Sequence, residues 1–191
     1  MKKTIVIVHG WDSSSKGDWF PWLQKECEKL GFETIVPDMP ETETPEISKW
    51  VSRLKETVKS VDENTYFVGH SIACQTIMRF LAGQEKKVGG AVFVAPWFNV
   101  IKLESKEVEE VARPWIETPI DFNKLKKVLT KLTTIFSNND PFVPFEESKK
   151  IFEEKLNPKI VVVHNAGHVI AADGFTEFPE ALTELKSIIG I

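Results

Sequence analysis

The sequence has 191 residues, of which 42% are hydrophobic, with a formal net charge of −4 and a pI near 5.7. These values predict one globular domain over residues 1–191 and argue against a nucleic-acid partner, because nucleic-acid-binding surfaces are basic. No stretch approaches the length of a membrane span, and Cys27 and Cys74 lack a disulfide framework, so we expect a cytoplasmic protein with reduced thiols and no membrane partner.

Strand-like and helix-like segments alternate along the chain. Short runs of β-branched and aromatic residues predict strands at residues 4–8, 32–36, 66–68, 90–95, 132–137 and 159–163. Apolar residues at three- and four-residue steps predict helices at residues 19–30, 45–61, 72–81, 105–112, 122–129, 144–156 and 178–189. Asp18 is expected to cap the first of these helices. This alternation favours an α/β/α sandwich of about six mostly parallel strands with helices on both faces.

Residues 96–131 are longer than a simple crossover between two strands needs. We predict that they form an excursion or partial lid, and that Trp97, Phe98 and Trp115 line a substrate pocket. The alternative is that these residues only seal the sheet.

The segment Gly69-His70-Ser71 lies between a predicted strand and a predicted helix. A serine in such a sharp turn is held outside the sheet edge, where its hydroxyl can attack a carbonyl, as in the nucleophile elbow G-x-S-x-G. Here Ala73 stands where that motif has its last Gly, and a close approach of helix and strand leaves little room for a side chain. The alternative is a plain turn in which Ser71 caps the helix.

Two further loops follow strand ends and carry Asp140 and His168. Groups at the carboxyl ends of parallel strands gather at one edge of the sheet, so Ser71, Asp140 and His168 can converge as a catalytic triad. In that arrangement His168 accepts the serine proton, and Asp140 holds the imidazole in the required tautomer. The backbone N–H groups of Trp11 and Ile72 are the expected oxyanion donors.

Each assignment has a competing interpretation. Asp140, before Pro141, could serve only in the turn, and Asp38 and Asp173 are rival acids. The four-residue spacing of His164 and His168 resembles metal ligation, but no carboxylates or cysteines accompany it, so we expect no metal and no cofactor. Cys74 lies inside the predicted helix and is expected to pack as a small hydrophobic residue.

Six segments carry a pattern that recurs together: Ile7-Val8-His9-Gly10, Gly69-His70-Ser71, Arg113-Pro114-Trp115, Asp140-Pro141-Phe142-Val143-Pro144, Gly167-His168 and Asp173-Gly174-Phe175-Thr176. Together they resemble the small α/β-hydrolase family that contains YdeN and the retinoblastoma-binding serine hydrolases. The resemblance spans nearly the whole chain. It implies a compact hydrolase with Ser71, Asp140 and His168 as the triad.

The expected activity is hydrolysis of a small-molecule carboxylic ester through an acyl-enzyme. Thioester or amide cleavage would use the same residues and stays open. A non-catalytic protein-interaction module on the same scaffold is the alternative from a different class, with an unknown protein partner, and the departure at Ala73 motivates it.

Overall fold

Six parallel strands form one sheet in the computed structural model, which describes residues 2–103 and 105–191. The strands are β1 (Thr4–Val8), β2 (Glu33–Ile35), β3 (Thr65–His70), β4 (Gly90–Val94), β5 (Leu132–Ser137) and β6 (Lys159–Val163). Their order across the sheet is β2-β1-β3-β4-β5-β6, and every neighbouring pair is parallel. The predicted α/β fold is therefore confirmed.

Helices connect these strands. They are α1 (Phe20–Lys29), α2 (Ile47–Thr57), α3 (Ile72–Ala82), α4 (Lys106–Glu117), α5 (Phe122–Val128), α6 (Phe145–Leu156) and α7 (Pro179–Ile189), with a short 3₁₀ helix at Ala171–Asp173. Two predicted elements were too long. The strand predicted at residues 32–36 spans only the three residues of β2, and the helix predicted at residues 45–61 ends at Thr57. By contrast α4 continues five residues beyond the predicted Ala112, through Pro114, and buries Trp115.

The two faces of the sheet carry separate hydrophobic clusters, because successive side chains of a strand point to opposite faces. In β1, Val6 and Val8 pack with residues of α2, α3 and α5. Ile5 and Ile7 pack with residues of α1 and α7 on the other face. The helices thus cover both faces, as the strand–helix alternation predicted.

Asp18 does not cap α1, which corrects one prediction. The helix begins at Phe20 after Trp19, and no side chain caps its first turn. The Asp18 carboxylate instead accepts hydrogen bonds from Ser13 Oγ and from the backbone N–H of Ala171, both at 2.8 Å. It therefore ties the loop after β1 to the segment after β6, a contact between distant parts of the chain that local sequence does not reveal.

The segment between β4 and β5 holds α4 and α5, and Arg79 of α3 fastens it to the body of the protein. The Arg79 guanidinium donates to the carbonyl oxygens of Trp115, Thr118 and Pro119 at 3.2, 2.7 and 3.2 Å. Because these carbonyls lie at and just after the end of α4, a cation there also complements the helix dipole. Among the described residues, no helix is both long and apolar enough to cross a membrane.

Candidate active site

Ser71 occupies a strained turn between β3 and α3. Its backbone has φ 55° and ψ −124°, a region that residues other than glycine seldom adopt. Such a conformation costs about 1 to 3 kcal/mol and persists only where the surrounding structure enforces it. The Ser71 N–H donates to Val94 O at 2.8 Å, and its side chain makes no capping hydrogen bond to α3. The interpretation of Ser71 as a helix-capping residue was therefore wrong.

The elbow accommodates Ala73. A Cβ atom added at Gly69 would lie 2.6 Å from Ile77 Cδ1 and 3.3 Å from the backbone N of Cys74, so strand and helix approach closely at Gly69. Ala73 itself is fully buried in the core. The positive φ at Ser71 shows that the departure from the motif leaves the sharp turn intact.

Asp140 and His168 form a close pair. Asp140 Oδ2 lies 2.7 Å from His168 Nδ1, and the carboxylate side chain is only 2% exposed. The other oxygen, Oδ1, accepts hydrogen bonds from the backbone N–H groups of Phe142 and Val143 at 2.9 and 3.0 Å. The backbone of the turn after β5 therefore fixes the orientation of the Asp140 carboxylate. The carboxylate in turn holds the His168 imidazole.

The rival acids have other partners. Asp173 Oδ2 accepts the backbone N–H of His168 at 2.8 Å and so positions the loop, not the imidazole. Asp38 Oδ1 accepts the backbone N–H of Ser15 at 2.9 Å, and hydrogen bonds from Ser15 lower the pKa of Asp38. Of the three candidate carboxylates, Asp140 is the one that contacts the His168 side chain.

Further hydrogen bonds hold the loop that carries His168. Asn139 Oδ1 accepts the N–H of Gly167 at 2.9 Å, and Asn138 Oδ1 accepts the N–H of Asn165 at 2.8 Å. Gly167 has φ +57°, and a Cβ there would collide with the Asp173 carboxylate. Side chains from the β5 loop thus hold the β6 loop, and only glycine fits at its tightest point.

His70 is a site residue that the sequence analysis missed. Its Nε2 lies 2.8 Å from His168 O, and since a carbonyl only accepts, Nε2 carries the hydrogen. Burial, and then the neighbouring His168, lower the pKa of His70 to about 4, so the ring is neutral near pH 7. The sequence offered one indication of this role. His70 lies at the end of a strand made of consecutive apolar residues, where a side chain is expected to be buried.

A cavity of about 440 Å³ opens beside Ser71, and we call it the Ser71 cavity. Residues predicted for the site that line it are Trp11, Ser71, Trp97 and His168. The segment between β4 and β5 also contributes Val100, Leu103 and Val108.

Two pocket predictions were wrong. Phe98 packs between helices, with its ring centroid 4.6 Å from that of Phe152 and 5.7 Å from that of Phe122. Trp115 is 1% exposed, and its indole N–H donates to Pro45 O at 2.8 Å. Neither side chain lines the Ser71 cavity. An aromatic-rich stretch indicates burial, but it does not indicate which neighbour covers each ring.

The two residues predicted to donate to an oxyanion, Trp11 and Ile72, lie in the wall of the Ser71 cavity and directly after Ser71 in the chain. Ile72 is the first residue of α3, where helical N–H groups have no partner within the helix. Trp11 lies in the cavity wall after Gly10, where an added Cβ would be 2.7 Å from His70 Nδ1. The loop after β1 therefore passes close to the elbow, and the absence of a side chain at Gly10 leaves room for that approach.

The Ser71 hydroxyl oxygen accepts a hydrogen bond from Trp97 Nε1 at 3.2 Å. Within residues 2–103 and 105–191, the Ser71 side chain makes this one hydrogen bond.

Cys74, one turn along α3, donates its thiol hydrogen to Gly69 O at 3.3 Å, and burial raises the pKa of the thiol well above its ordinary value. As predicted, this thiol is a packing group and not a nucleophile.

The described residues contain no cluster of three or more His, Cys, Asp or Glu side chains arranged to hold a metal ion. His164 is exposed, whereas the His168 ring faces Asp140, so the two histidines do not form a pair of ligands.

The sheet, the strained serine and the carboxylate–imidazole pair together define an α/β-hydrolase architecture. The sequence model described as "Serine hydrolase" matches residues 5–187, and the chain therefore belongs to the serine hydrolase family.

Relatives of known sequence and structure agree with this assignment. The YdeN protein of Bacillus subtilis (strain 168) is 29% identical over 189 residues, which cover 98% of this chain and 96% of YdeN. The crystal structure of the ydeN gene product superposes over the whole of both chains with a TM-score of 0.89 at 28% identity. Est1E from Butyrivibrio proteoclasticus has a TM-score of 0.74 over 100% of this chain and 89% of that chain, at 15% identity, and shows likeness of fold alone.

Proposed function

We propose that the protein hydrolyses carboxylic esters of small molecules through an acyl-enzyme, with Ser71 as nucleophile, His168 as general base and acid, and Asp140 as the partner of His168. The contact that carries the proposal is the 2.7 Å hydrogen bond between Asp140 Oδ2 and His168 Nδ1. A carboxylate accepts the Nδ1 hydrogen, which leaves the Nε2 lone pair of a neutral imidazole available for a proton.

The reaction begins when His168 Nε2 removes the Ser71 hydroxyl proton as Oγ bonds to the substrate carbonyl carbon. The carbonyl oxygen becomes an oxyanion, which the backbone N–H groups of Ile72 and Trp11 receive. Collapse of this intermediate breaks the bond to the alcohol, which leaves with the proton from His168. Water then repeats the sequence on the acyl-enzyme and releases the acid and free Ser71.

The Ser71 cavity supports an organic substrate. Ser71 and His168 share its wall with the apolar side chains of Val100, Phe142 and Ile170. A site with apolar walls and a few polar groups at one end is typical of pockets for small organic molecules. Est1E, which shares the fold, has been crystallised with ferulic acid bound, so an aromatic acyl group belongs in the first panel of substrates.

A fluorophosphonate probe tests the nucleophile directly. We expect the probe to add to the intact protein once, at Ser71, as located by peptide mass spectrometry. Ser71→Ala should abolish labelling and lower ester turnover by several orders of magnitude. The matched control is Ser187→Ala, which removes a hydroxyl from an exposed position of α7 and should change neither.

The outcomes separate the candidate functions. No labelling and no turnover in the folded wild-type protein would favour the non-catalytic interaction module. A matched ester, thioester and amide of one acyl group would then assign the leaving-group class, because all three reactions use the same residues. Turnover that persists in Ser71→Ala would reject Ser71 as the nucleophile.

A further inference from the structure

We propose that Trp97 is a further catalytic residue, whose indole N–H stabilises negative charge on Ser71 Oγ as that atom attacks the substrate and later leaves the acyl group. The inference rests on the proposed function, since it assigns a role at the oxygen that forms the acyl bond. Its observation is the 3.2 Å hydrogen bond from Trp97 Nε1 to Ser71 Oγ.

The chemistry of the two groups makes this contact directional. An indole N–H only donates, whereas a hydroxyl has one hydrogen to donate and two lone pairs. When Trp97 occupies one lone pair of Oγ, the serine hydrogen must point elsewhere, and the imidazole of His168 lies in the wall of the same cavity. The second lone pair stays available for the carbonyl carbon. Trp97 therefore orients the hydroxyl without taking its proton.

Burial strengthens the effect. Trp97 is 1% exposed and Ser71 is 6% exposed, so their hydrogen bond lies largely out of water. A fixed donor in such surroundings stabilises a developing charge more than water would, because it is oriented before the reaction starts. The charge that matters here is on Oγ itself, whereas the backbone N–H groups of Trp11 and Ile72 would serve the carbonyl oxygen.

The balance of the reaction shows where the donor acts. In acylation, the Oγ–H bond breaks, its proton goes to His168, and the Oγ–carbon bond forms. In deacylation, water gives a proton to His168 as its oxygen bonds to the acyl carbon. The Oγ–carbon bond then breaks, its electron pair returns to Oγ, and the proton passes from His168 to Oγ. In both steps Oγ carries partial negative charge at the transition state, and the indole N–H faces that atom.

The protein holds Trp97 in place through the helix that Ser71 begins. Gln75 Nε2 donates to Trp97 O at 3.2 Å, and Gln75 Oε1 accepts from Arg79 at 3.1 Å. Gln75 is fully buried, so its amide spends its hydrogen bonds on this contact and not on water. The turn before Trp97 contains Ala95 at φ 48°, a conformation that costs an alanine free energy. The buried amide of Gln75 thus holds the backbone of the residue whose indole N–H reaches Ser71.

The test is removal of the N–H with the ring retained. In Trp97→Phe we expect kcat for a neutral chromogenic ester to fall about ten- to hundredfold, with KM changed less than about threefold. This loss is smaller than the roughly 10²–10³-fold loss for an oxyanion-hole donor, because Oγ carries only part of the charge. The rate of Ser71 labelling by a fluorophosphonate should fall by a similar factor, because that reaction requires the same attack by Oγ. Replacement of Trp97 by 3-benzothienylalanine, in which sulfur takes the place of the N–H, repeats the test with the ring shape kept and decides it if Trp97→Phe does not fold.

Trp50→Phe is the matched control, because its buried indole N–H donates to Pro40 O at 2.8 Å, away from Ser71. It should lose thermal stability and keep the labelling rate. An unchanged labelling rate in the folded Trp97 variants would overturn the inference and leave Trp97 as a wall of the cavity. A faster rate would overturn it too, since the bond would then restrain the nucleophile.

Ser71→Ala separates the two proposals. If Ser71→Ala is inactive while the Trp97 variants keep full rates, the inference fails and the proposed function stands. If Ser71→Ala keeps its activity, Ser71 is not the nucleophile, and the proposed function is rejected together with the inference that rests on it.

Discussion

The nucleophile and the base of the proposed triad are held by different forces. Ser71 follows β3, whose six residues are all buried, and begins α3, nine of whose eleven residues are buried. His168 follows β6, an edge strand whose residues are exposed or half-buried. Around Ser71 the side chains pack tightly, as the close contact between Gly69 and Ile77 shows.

Around His168 the positioning groups are hydrogen bonds. The carboxylate of Asp173 holds the backbone N–H of His168, and His70 donates to its carbonyl oxygen. Asn138 and Asn139 hold the neighbouring backbone. Changes of side-chain volume should therefore damage the position of Ser71, whereas changes of hydrogen-bond donor or acceptor should damage the position of His168. Four predictions test this division.

The largest effect is expected from Asp140→Asn. The amide keeps the shape but can donate to Nδ1, which favours the wrong tautomer of His168, and turnover should fall about 10⁴-fold. Asp173→Asn removes an acceptor for the loop backbone and not for the imidazole, so turnover should fall only about ten- to hundredfold through misplacement. Steady-state kinetics on one ester, with melting temperatures of both variants, make the measurement. A greater loss in Asp173→Asn would mean that Asp140 is the wrong acid.

Trp115→Ala extends the comparison to the segment between β4 and β5. Trp115 is buried, donates to Pro45 O and packs edge-to-face on Trp50 with ring centroids 6.0 Å apart. Its loss leaves a cavity in the core and should lower the free energy of unfolding by about 3 to 5 kcal/mol. The relative rates for esters of different acyl length should stay as in the wild type. Altered acyl preference without loss of stability would return Trp115 to the pocket wall.

Ala73→Val tests packing at the elbow. Ala73 is fully buried, so two added methyl groups should crowd its neighbours, and a shift of Ser71 by about 1 Å can cost about a hundredfold in rate. We expect lower turnover and lower thermal stability together. Ala73→Gly is the opposite change, with turnover preserved and stability reduced by about 0.5 to 1 kcal/mol through greater freedom of the unfolded chain. Full activity and stability in Ala73→Val would show that the elbow is not tightly packed.

The most gradual effect is on the stability of the folded state in acid. The pKa of His70 is lowered to about 4 from its ordinary 6.5, so the unfolded chain binds this proton first as the pH falls. The contribution of His70 to the free energy of unfolding is therefore fully present above about pH 6.5 and is lost as the pH falls towards 4. One group changes this free energy by at most about 1.4 kcal/mol per pH unit. His9, whose pKa burial also lowers, adds a contribution of the same sign.

Urea unfolding between about pH 4.5 and 7.5 measures this decline. His70→Gln retains an N–H donor but does not titrate, and its stability should fall less steeply in acid than that of the wild type. His164→Asn replaces an exposed imidazole and serves as the control. Parallel curves for the wild type and His70→Gln would show that His70 does not bind the proton on unfolding.

Much of the fold could be read from local patterns. The bounds of β1, β5 and β6 agree with the predicted ranges, because continuous runs rich in β-branched and apolar residues, five or six residues long, are typical of strands in a parallel sheet. The segments that follow strands β1, β3, β5 and β6 were also identified as site loops. Parallel strands place those loops at one edge, so the sequence determined the neighbourhood of Ser71, Asp140 and His168.

The contacts inside that neighbourhood were decided by the tertiary structure. Asp18 meets Ala171 across 153 positions of the chain, and His70 meets His168 across 98. Which carboxylate faces an imidazole, and whether a tryptophan N–H points at a serine or into the core, depends on loop orientations that no local pattern encodes. Trp97 and Trp115 are alike in the sequence, as aromatic residues of one long segment. They differ because packing of that segment against α3 directs one indole to Ser71 and the other to Pro45.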